Sequence, residues 1–366
     1  MICKYVMGCL VILLTAMKTA AQMAPDSAEY KHLENWCTYY QNIVNDKAFK
    51  EVGITSLSTD DGNWPLFVKL YQLGIIEALD KKYSANELKE KIKIAQYYLG
   101  VTRTGVLNEE TRTALNVPLR KRLTAVQKAM IDLRVIYDLQ LNGPVVVINI
   151  PSATLQLYEN NRIILESKLV VGRPSTPTPE FTGVIHEVIL FPWYIVPNNI
   201  AVKEALPRIK NNTQYIEDNN LQVLNDQGQP VNPYTINWHA VKADSFPYTL
   251  RQSTICDNGV GSIKFNFQNL VGVYLHDTPW TVLFKMHRRY LSRGCLRMEK
   301  AMELARYILK DSTSVIDSLK PSDNLVNPQP VTIPASVKMP VYAMYNTAWF
   351  DAAGTIRFYE DVYNKN

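Results

Sequence analysis

Apolar and polar positions follow two different periods along this chain, and the change between them falls near residue 143. From Tyr30 to about Lys81 the aromatics Trp36, Tyr39, Tyr40, Phe67 and Tyr71 stand at irregular helical spacings, interrupted by the turn-forming run Ser58-Thr59-Asp60-Asp61-Gly62-Asn63. Ser84 and Glu87 have the spacing of a capping box, opening a helix whose apolar face is Leu88, Ile92, Ala95 and Leu99. Gly100 ends that helix, Thr104-Gly105 makes a turn, and Asn108-Glu109-Glu110-Thr111 starts a short helix ending near Leu115. A longer helix is predicted from about Leu119 to Leu139.

Beyond Asn142-Gly143-Pro144 the run Val145-Val146-Val147-Ile148-Asn149-Ile150 is β-branched and continuous, as in a buried strand. Leu155 to Tyr158 alternates, residues 159–162 read as a hairpin turn, and Lys168 to Val171 returns as a strand. A Pro- and Thr-rich loop covers Pro174 to Pro179, and Phe191 to Pro197 resumes extended structure. Residues 198–250 read as polar and irregular apart from a helix over Val202 to Lys210, and an insertion of that length in a β domain suits a lid or binding loop. Lys264 to Phe267 and Val271 to His276 are predicted strands, and Glu299 to Lys310 a helix. A Pro-, Ser- and Asn-rich linker spans 320–334, followed by short strands over Val341 to Tyr345 and Ile356 to Tyr359 around the turn 351–354. The fold class expected is therefore α+β and multidomain, a mostly β domain preceded by a helical scaffold.

Charge changes this picture little. The chain has 39 basic and 34 acidic residues, net +5. Removing the first 21 residues, which hold Lys4, Lys18 and no acids, leaves +3. That is too mild for nucleic-acid binding, which needs clustered cations to displace counterions. The N-terminus says more: Lys4, an apolar run from Tyr5 to Met17 and small residues Thr19-Ala20-Ala21 have the form of a signal peptide. The run is shorter than the ~20 residues of a spanning helix, and Cys9 comes too early for a lipoprotein site. The reading is an exported, soluble protein. Cleavage near Ala21 would leave Cys37, Cys256 and Cys295, an odd count in an oxidising compartment, so at least one thiol has no internal partner. Whether Cys37 and Cys256 pair is open.

Strand alternation sets Tyr274 and His276 on one face and Val271, Val273 and Leu275 on the other. Cys295 follows within Ser292-Arg293-Gly294-Cys295-Leu296-Arg297. Gly294 can let backbone N–H groups approach a substrate, and Arg293, Arg297 and a helix beginning just beyond favour the thiolate. A thiol, an imidazole and backbone donors are what acyl transfer requires. The residues alone leave other readings open: Cys295 as a small buried hydrophobe, His276 satisfying a turn, or, against the absence of paired ligand spacing, a metal site.

Tyr274-Leu275-His276-Asp277-Thr278-Pro279 with Ser292 to Arg297 resembles the signature of YkuD-type L,D-transpeptidases, more narrowly their large periplasmic YcbB-like branch. Val170-Val171-Gly172-Arg173 with Thr178-Pro179 resembles the strand and loop before that active site. Phe191 to Pro197, Ile200-Ala201 and Glu204 to Pro207 resemble the start of its substrate-capping insertion, and Leu250-Arg251-Gln252 and Gly261 to Phe265 its end. Residues 84–118 look like a shortened peptidoglycan-binding-like helical module, and 338–363 like a C-terminal extension.

The resemblance implies a signal peptide over 1–21, a helical scaffold over 22–83 and 119–142, the 84–118 module, and a catalytic domain over 143–320 with a capping insertion at 198–250. A linker and extension follow over 321–366. It further implies Cys295 as acylated nucleophile, His276 as base, the Asp277 carbonyl as orienter and the Gly294 and Cys295 N–H groups as oxyanion donors. Arg297 would hold a substrate carboxylate, with Tyr274, Arg293 and Ser292 also in the substrate site. Arg293 replaces the second His of many members, and residues 255–258 depart from the usual Pro-Gly stretch. The implied substrates are donor and acceptor peptidoglycan stem peptides, with no cofactor or metal, cell-wall synthesis proteins as further partners and covalent inhibition by carbapenem-type β-lactams. Hydrolysis of the same thioester would make an L,D-carboxypeptidase, and a dead site would leave a non-catalytic wall-binding protein.

Overall fold

The computed structural model of the chain describes residues 27–59, 63–252, 259–267, 272–310 and 329–365. The expected signal peptide, Cys256 and Val271 lie outside the described residues. Two compact units divide the chain: one takes residues up to 166, 180–182 and 340 onward, the other 167–179 and 183–339.

The first unit opens with helices α1 (Ala28–Asn45), α2 (Trp64–Gln72), α3 (Ala85–Tyr98), α4 (Glu109–Leu115) and α5 (Leu119–Gln140). The capping box forms: the Ser84 hydroxyl accepts the Glu87 N–H, and the Glu87 carboxylate accepts the Ser84 N–H at 2.7 Å. Trp36, Tyr39 and Tyr40 of α1 join one aromatic and aliphatic core with residues of α2, α3 and α5. Strands β1 (Val145–Asn149) and β2 (Thr154–Glu159) pair antiparallel, as the buried run and the alternation predict. Asn160 and Asn161, both at positive φ, turn the chain into β3 (Arg162–Gly172).

The second unit takes the end of β3 and then, from Gly183 on, β4 (Phe181–Leu190), a strand that its sequence conceals. A bulge between Ile185 and Glu187 shifts the register against its neighbour, so the buried positions change parity and no clean alternation survives. The insertion is not irregular. β5 (Tyr194–Ile195), β6 (Leu221–Leu224), β7 (Pro230–Val231) and β8 (Thr249–Gln252) form a separate four-stranded sheet in the order β5-β8-β6-β7. Its core holds Val196, Ala201, Ala205, Leu206, Ile209, Ile216, Val223, Trp238 and Leu250. Strands of two to four residues are too short to set a period, which is why the segment reads as polar loop.

Strands β9 (Ile263–Phe267), β10 (Leu275–His276), β11 (Tyr290–Ser292) and β12 (Leu296–Met298) complete the main sheet of this unit, in the order β11-β3-β12-β10-β9-β4. The strand expected over Val271 to His276 is confined to its last two residues, because Gly272 sits at φ +66 and breaks the extended backbone. Helix α6 (Ala301–Leu309) buries Ala301, Leu304, Ala305, Ile308 and Leu309 and packs on β9.

β13 (Val331–Met344) corrects the linker and short strand expected there. Odd positions 331 to 343 are all apolar, but Pro334 and Pro340 on the other parity made the run look like linker. Its end pairs parallel with β1 in the first unit, Val146 opposite Val341. The short tail strand Ile356 to Tyr359 pairs instead with β14 (Ala348–Phe350), as β15 (Ile356–Phe358). Among the described residues, no helix is long and apolar enough to cross a membrane.

Candidate active site

Three neighbouring strands of the second unit bring His276, Lys264 and Arg297 together. Antiparallel pairing sets Lys264 of β9 opposite His276 of β10, and parallel pairing sets Arg297 of β12 opposite His276 on its other side. Residues in register share a face of the sheet, so the imidazole stands in a row between two cationic side chains. Tyr274 is exposed, whereas His276, on the same parity, is only 3% exposed.

His276 Nδ1 lies 2.6 Å from the Asp277 carbonyl oxygen. A carbonyl can only accept, so the proton of the neutral ring is assigned to Nδ1 and the lone pair to Nε2. Burial, with Arg297 and Lys264 adding to it, pushes the imidazole pKa down to about 4 against the pull of the Asp277 and Val260 carbonyls. The ring is therefore neutral at pH 7. The Asp277 carboxyl is itself raised by burial, opposed by the N–H groups of Thr278 and Ser262.

Cys295 is partly exposed and lies in the turn between β11 and β12, next to Gly294 at φ +109, a conformation that favours glycine. Ser292, expected to touch substrate, is instead buried, and its hydroxyl is spent inside the turn: it donates to the Cys295 carbonyl at 2.6 Å and accepts the Gly294 N–H at 3.1 Å. Gly294 N–H, expected as an oxyanion donor, is thus already engaged, while the Cys295 N–H belongs to the residue that carries the sulfur. The turn is also braced from behind. Thr178 Oγ1, fully buried, donates to the Gly294 carbonyl at 2.8 Å and accepts the Gly172 N–H at 2.9 Å. Arg173 N–H donates to the Ser292 carbonyl at 3.0 Å. Gly172 is needed for this approach, since a Cβ there would meet the Thr176 carbonyl oxygen at 2.3 Å.

The remaining expected residues are spread around this turn. Arg297 stacks its guanidinium 4.9 Å from the Trp280 ring centroid. Lys264 Nζ lies 3.9 Å from the Tyr274 ring centroid, and burial lowers the Lys264 pKa, with the Cys295 sulfur acting in the opposite sense. Arg293 turns toward the insertion, its Nη2 lying 2.5 Å from the Glu204 carboxylate. Among the described residues, no three His, Cys, Asp or Glu side chains converge as metal ligands. Cys37 is a free, buried cysteine of the first unit.

Residues 143–317 match the family model of the L,D-transpeptidase catalytic domain, YkuD. The chain carries a YkuD-type L,D-transpeptidase catalytic domain. A Haemophilus influenzae protein whose name places it among the L,D-transpeptidases is 34% identical over 250 residues, which is 68% of this chain and 50% of that relative. The match thus spans half the length of that relative. The ertapenem-acylated catalytic domain of an E. faecium L,D-transpeptidase is similar at 13% identity, over 55% of this chain and 96% of that one, with TM-score 0.27. An L,D-transpeptidase from Mycobacterium smegmatis is similar at 15% identity, over 55% of this chain and 59% of that one, with TM-score 0.24.

Four residues of the transpeptidase domain gain a place that spacing alone did not suggest: Thr178, Lys264, Glu204 and Tyr194. Burial first, and then the Cys295 sulfur, raise the Tyr194 hydroxyl pKa, which puts the root of the insertion within electrostatic reach of the thiol. All four lie in stretches that carry the family resemblance. Their roles are three-dimensional, and no local period marks them.

Proposed function

We propose that the protein is an exported L,D-transpeptidase that cross-links peptidoglycan through a thioester on Cys295. The observation that carries this reading is the pairing of a neutral imidazole, oriented through Nδ1 by the Asp277 carbonyl, with a cysteine on the adjoining glycine turn, inside a domain of this family.

His276 Nε2 takes the Cys295 proton as the sulfur attacks the carbonyl of the third residue of a donor tetrapeptide stem. The C–S bond forms and the carbonyl π electrons move to oxygen, where the Cys295 N–H is the donor we assign. On collapse the C–N bond to the terminal D-Ala breaks, and the departing amine takes the proton from His276. The side-chain amine of a second stem's diamino acid then attacks the thioester. The C–S bond breaks, and His276 relays the amine's proton to the sulfur. One amide replaces another, and thiol, imidazole and backbone dipoles supply the chemistry. Arg297 holds a stem carboxylate with its planar fork. The insertion at 198–250 covers the thioester and keeps water from it. Residues 1–21 direct export to the periplasm or cell envelope.

Intact-mass spectrometry after incubation with a carbapenem tests the nucleophile. A single adduct mapping to Cys295 is expected, and a protein left unmodified, or modified elsewhere, refutes the assignment. Incubation with purified wall material, followed by fragment analysis, is expected to yield dimers joined between third residues.

A further inference from the structure

The family resemblance sets Arg293 in the substrate site, at a position where many members have a histidine. The structure gives its guanidinium a partner: Nη2 lies 2.5 Å from both carboxylate oxygens of Glu204. The two ends of this pair belong to different elements of the second unit. Arg293 sits in the nucleophile turn between Ser292 and Gly294, whose carbonyls are held by the Arg173 N–H and the Thr178 hydroxyl. Glu204 sits in a π turn, Ala201–Ala205, between the helical turn Asn198–Ile200 and the helix Leu206–Asn211 of the insertion. Ala201, Ala205 and Leu206 anchor that turn in the insertion's own core, which leaves Glu204 facing outward. Inserted π turns recur at functional sites, and here the turn presents the carboxylate to the residue beside the nucleophile.

We propose that Arg293 and Glu204 form a clasp that holds the insertion against the nucleophile turn and thereby sets how the Cys295 thioester divides between an amine acceptor and water. The division rests on the acyl-transfer reading above; the clasp does not. Both side chains are partly exposed, 39% and 45%, so the pair is a weak tie, able to shift a closing equilibrium by about fivefold at most. A weak tie suits this role, because acceptor stems must enter and cross-linked product must leave. Loosening the clasp leaves the first step in place, since the sulfur, the imidazole and the Asp277 carbonyl lie on the main sheet and its turns. It exposes the thioester to water, whose oxygen attacks the acyl carbon, the C–S bond breaking and the proton returning to sulfur to give a hydrolysed tripeptide stem.

Hydrogen–deuterium exchange and product analysis of the full chain test this with Glu204→Gln and with the charge swap Glu204→Arg plus Arg293→Glu. In Glu204→Gln, amides of 198–211 are expected to exchange about two- to fivefold faster, and the tripeptide-to-dimer ratio to rise by a similar factor while Cys295 acylation by a carbapenem stays near wild type. The swap is expected to restore protection and ratio at least in part. About 1 M salt, where the Debye length is near 3 Å, is expected to bring wild type to the Glu204→Gln values and leave the variant unmoved. Unchanged exchange in Glu204→Gln overturns the clasp whatever the activity. Faster exchange with an unchanged product ratio overturns its control of the acceptor. A wild-type protein that no carbapenem acylates overturns the acyl-transfer reading instead, with exchange still deciding the clasp.

Discussion

Replacing Thr178 with Val keeps the shape of the side chain and removes only what the hydroxyl does. Thr178 is fully buried, and its Oγ1 is the acceptor for the Gly172 N–H and a donor to the Gly294 carbonyl. Each buried backbone group that loses such a partner costs ~1–3 kcal/mol, offset in part by about 1 kcal/mol for the added buried methyl. The net loss is about 1–5 kcal/mol, which for a unit of this size lowers the melting temperature by about 2–20 °C. The same change frees the Gly294 carbonyl one residue before Cys295, the proposed nucleophile, and a misplacement of about 1 Å at a reacting group can slow the chemistry on the order of a hundredfold. Thermal unfolding and the rate of Cys295 acylation by a carbapenem, measured on Thr178→Val and Thr178→Ser, separate the contributions. Serine keeps the hydroxyl and should stay near wild type in acylation, with a small stability loss from the missing methyl. A valine variant that melts within about 2 °C of wild type and acylates normally would refute the buttress, and a serine variant as slow as valine would show that the hydroxyl is not the operative group.

Three further outcomes follow from the site. Cys295→Ala should abolish acylation and cross-linking while changing stability by less than about 1 kcal/mol, since the position is partly exposed; retained dimer formation in muropeptide analysis would sink the nucleophile assignment. Because the His276 pKa is depressed to about 4 in the folded chain, the unfolded chain takes up a proton from about pH 6.5 downward that the folded one refuses. Its contribution to stability is whole above pH 6.5 and lost as pH falls through 4, by about 3 kcal/mol in all; urea midpoints at pH 7.5 and 4.5 should converge in His276→Gln relative to wild type, and equal pH dependence in both would contradict the shift. Arg297→Lys removes the planar fork and its stacking on Trp280, so the second-order acylation rate should fall about tenfold; an unchanged rate would mean that Arg297 does not hold the substrate carboxylate.

The helices of the first unit and the hairpin of β1, β2 and β3 were legible because their signals are local: a capping box at Ser84, a β-branched run at Val145, two consecutive asparagines at 160–161. The Cys295 turn and His276 strand end were legible as residue types, and as a site only through resemblance to a family. What stayed hidden has a shared cause. β4 loses its alternation to a bulge, β13 to prolines on its exposed parity, and the insertion's sheet is made of strands too short to repeat anything. Ser292 is named for the substrate site by resemblance alone, and only the closed geometry of the turn reveals the hydrogen bonds that its hydroxyl makes there.

On the proposed function, the row Lys264–His276–Arg297 would divide labour between charge and proton transfer. Burial above all, with the two neighbouring cations adding to it, makes the imidazole a poor place for a proton to rest and lowers its pKa. A strongly basic resting histidine would be protonated before substrate arrives and unable to accept the thiol proton. Here the ring stays neutral and oriented through Nδ1, so it can accept that proton at Nε2 only while negative charge is developing nearby to offset it. The same cations that disfavour imidazolium in the empty site favour the oxyanion of the attacked carbonyl, and the two effects act at different moments of one step. On this account the proton passes through His276 rather than resting on it. The site is then tuned to the transition state, with the cost of imidazolium met only when substrate charge is present to balance it.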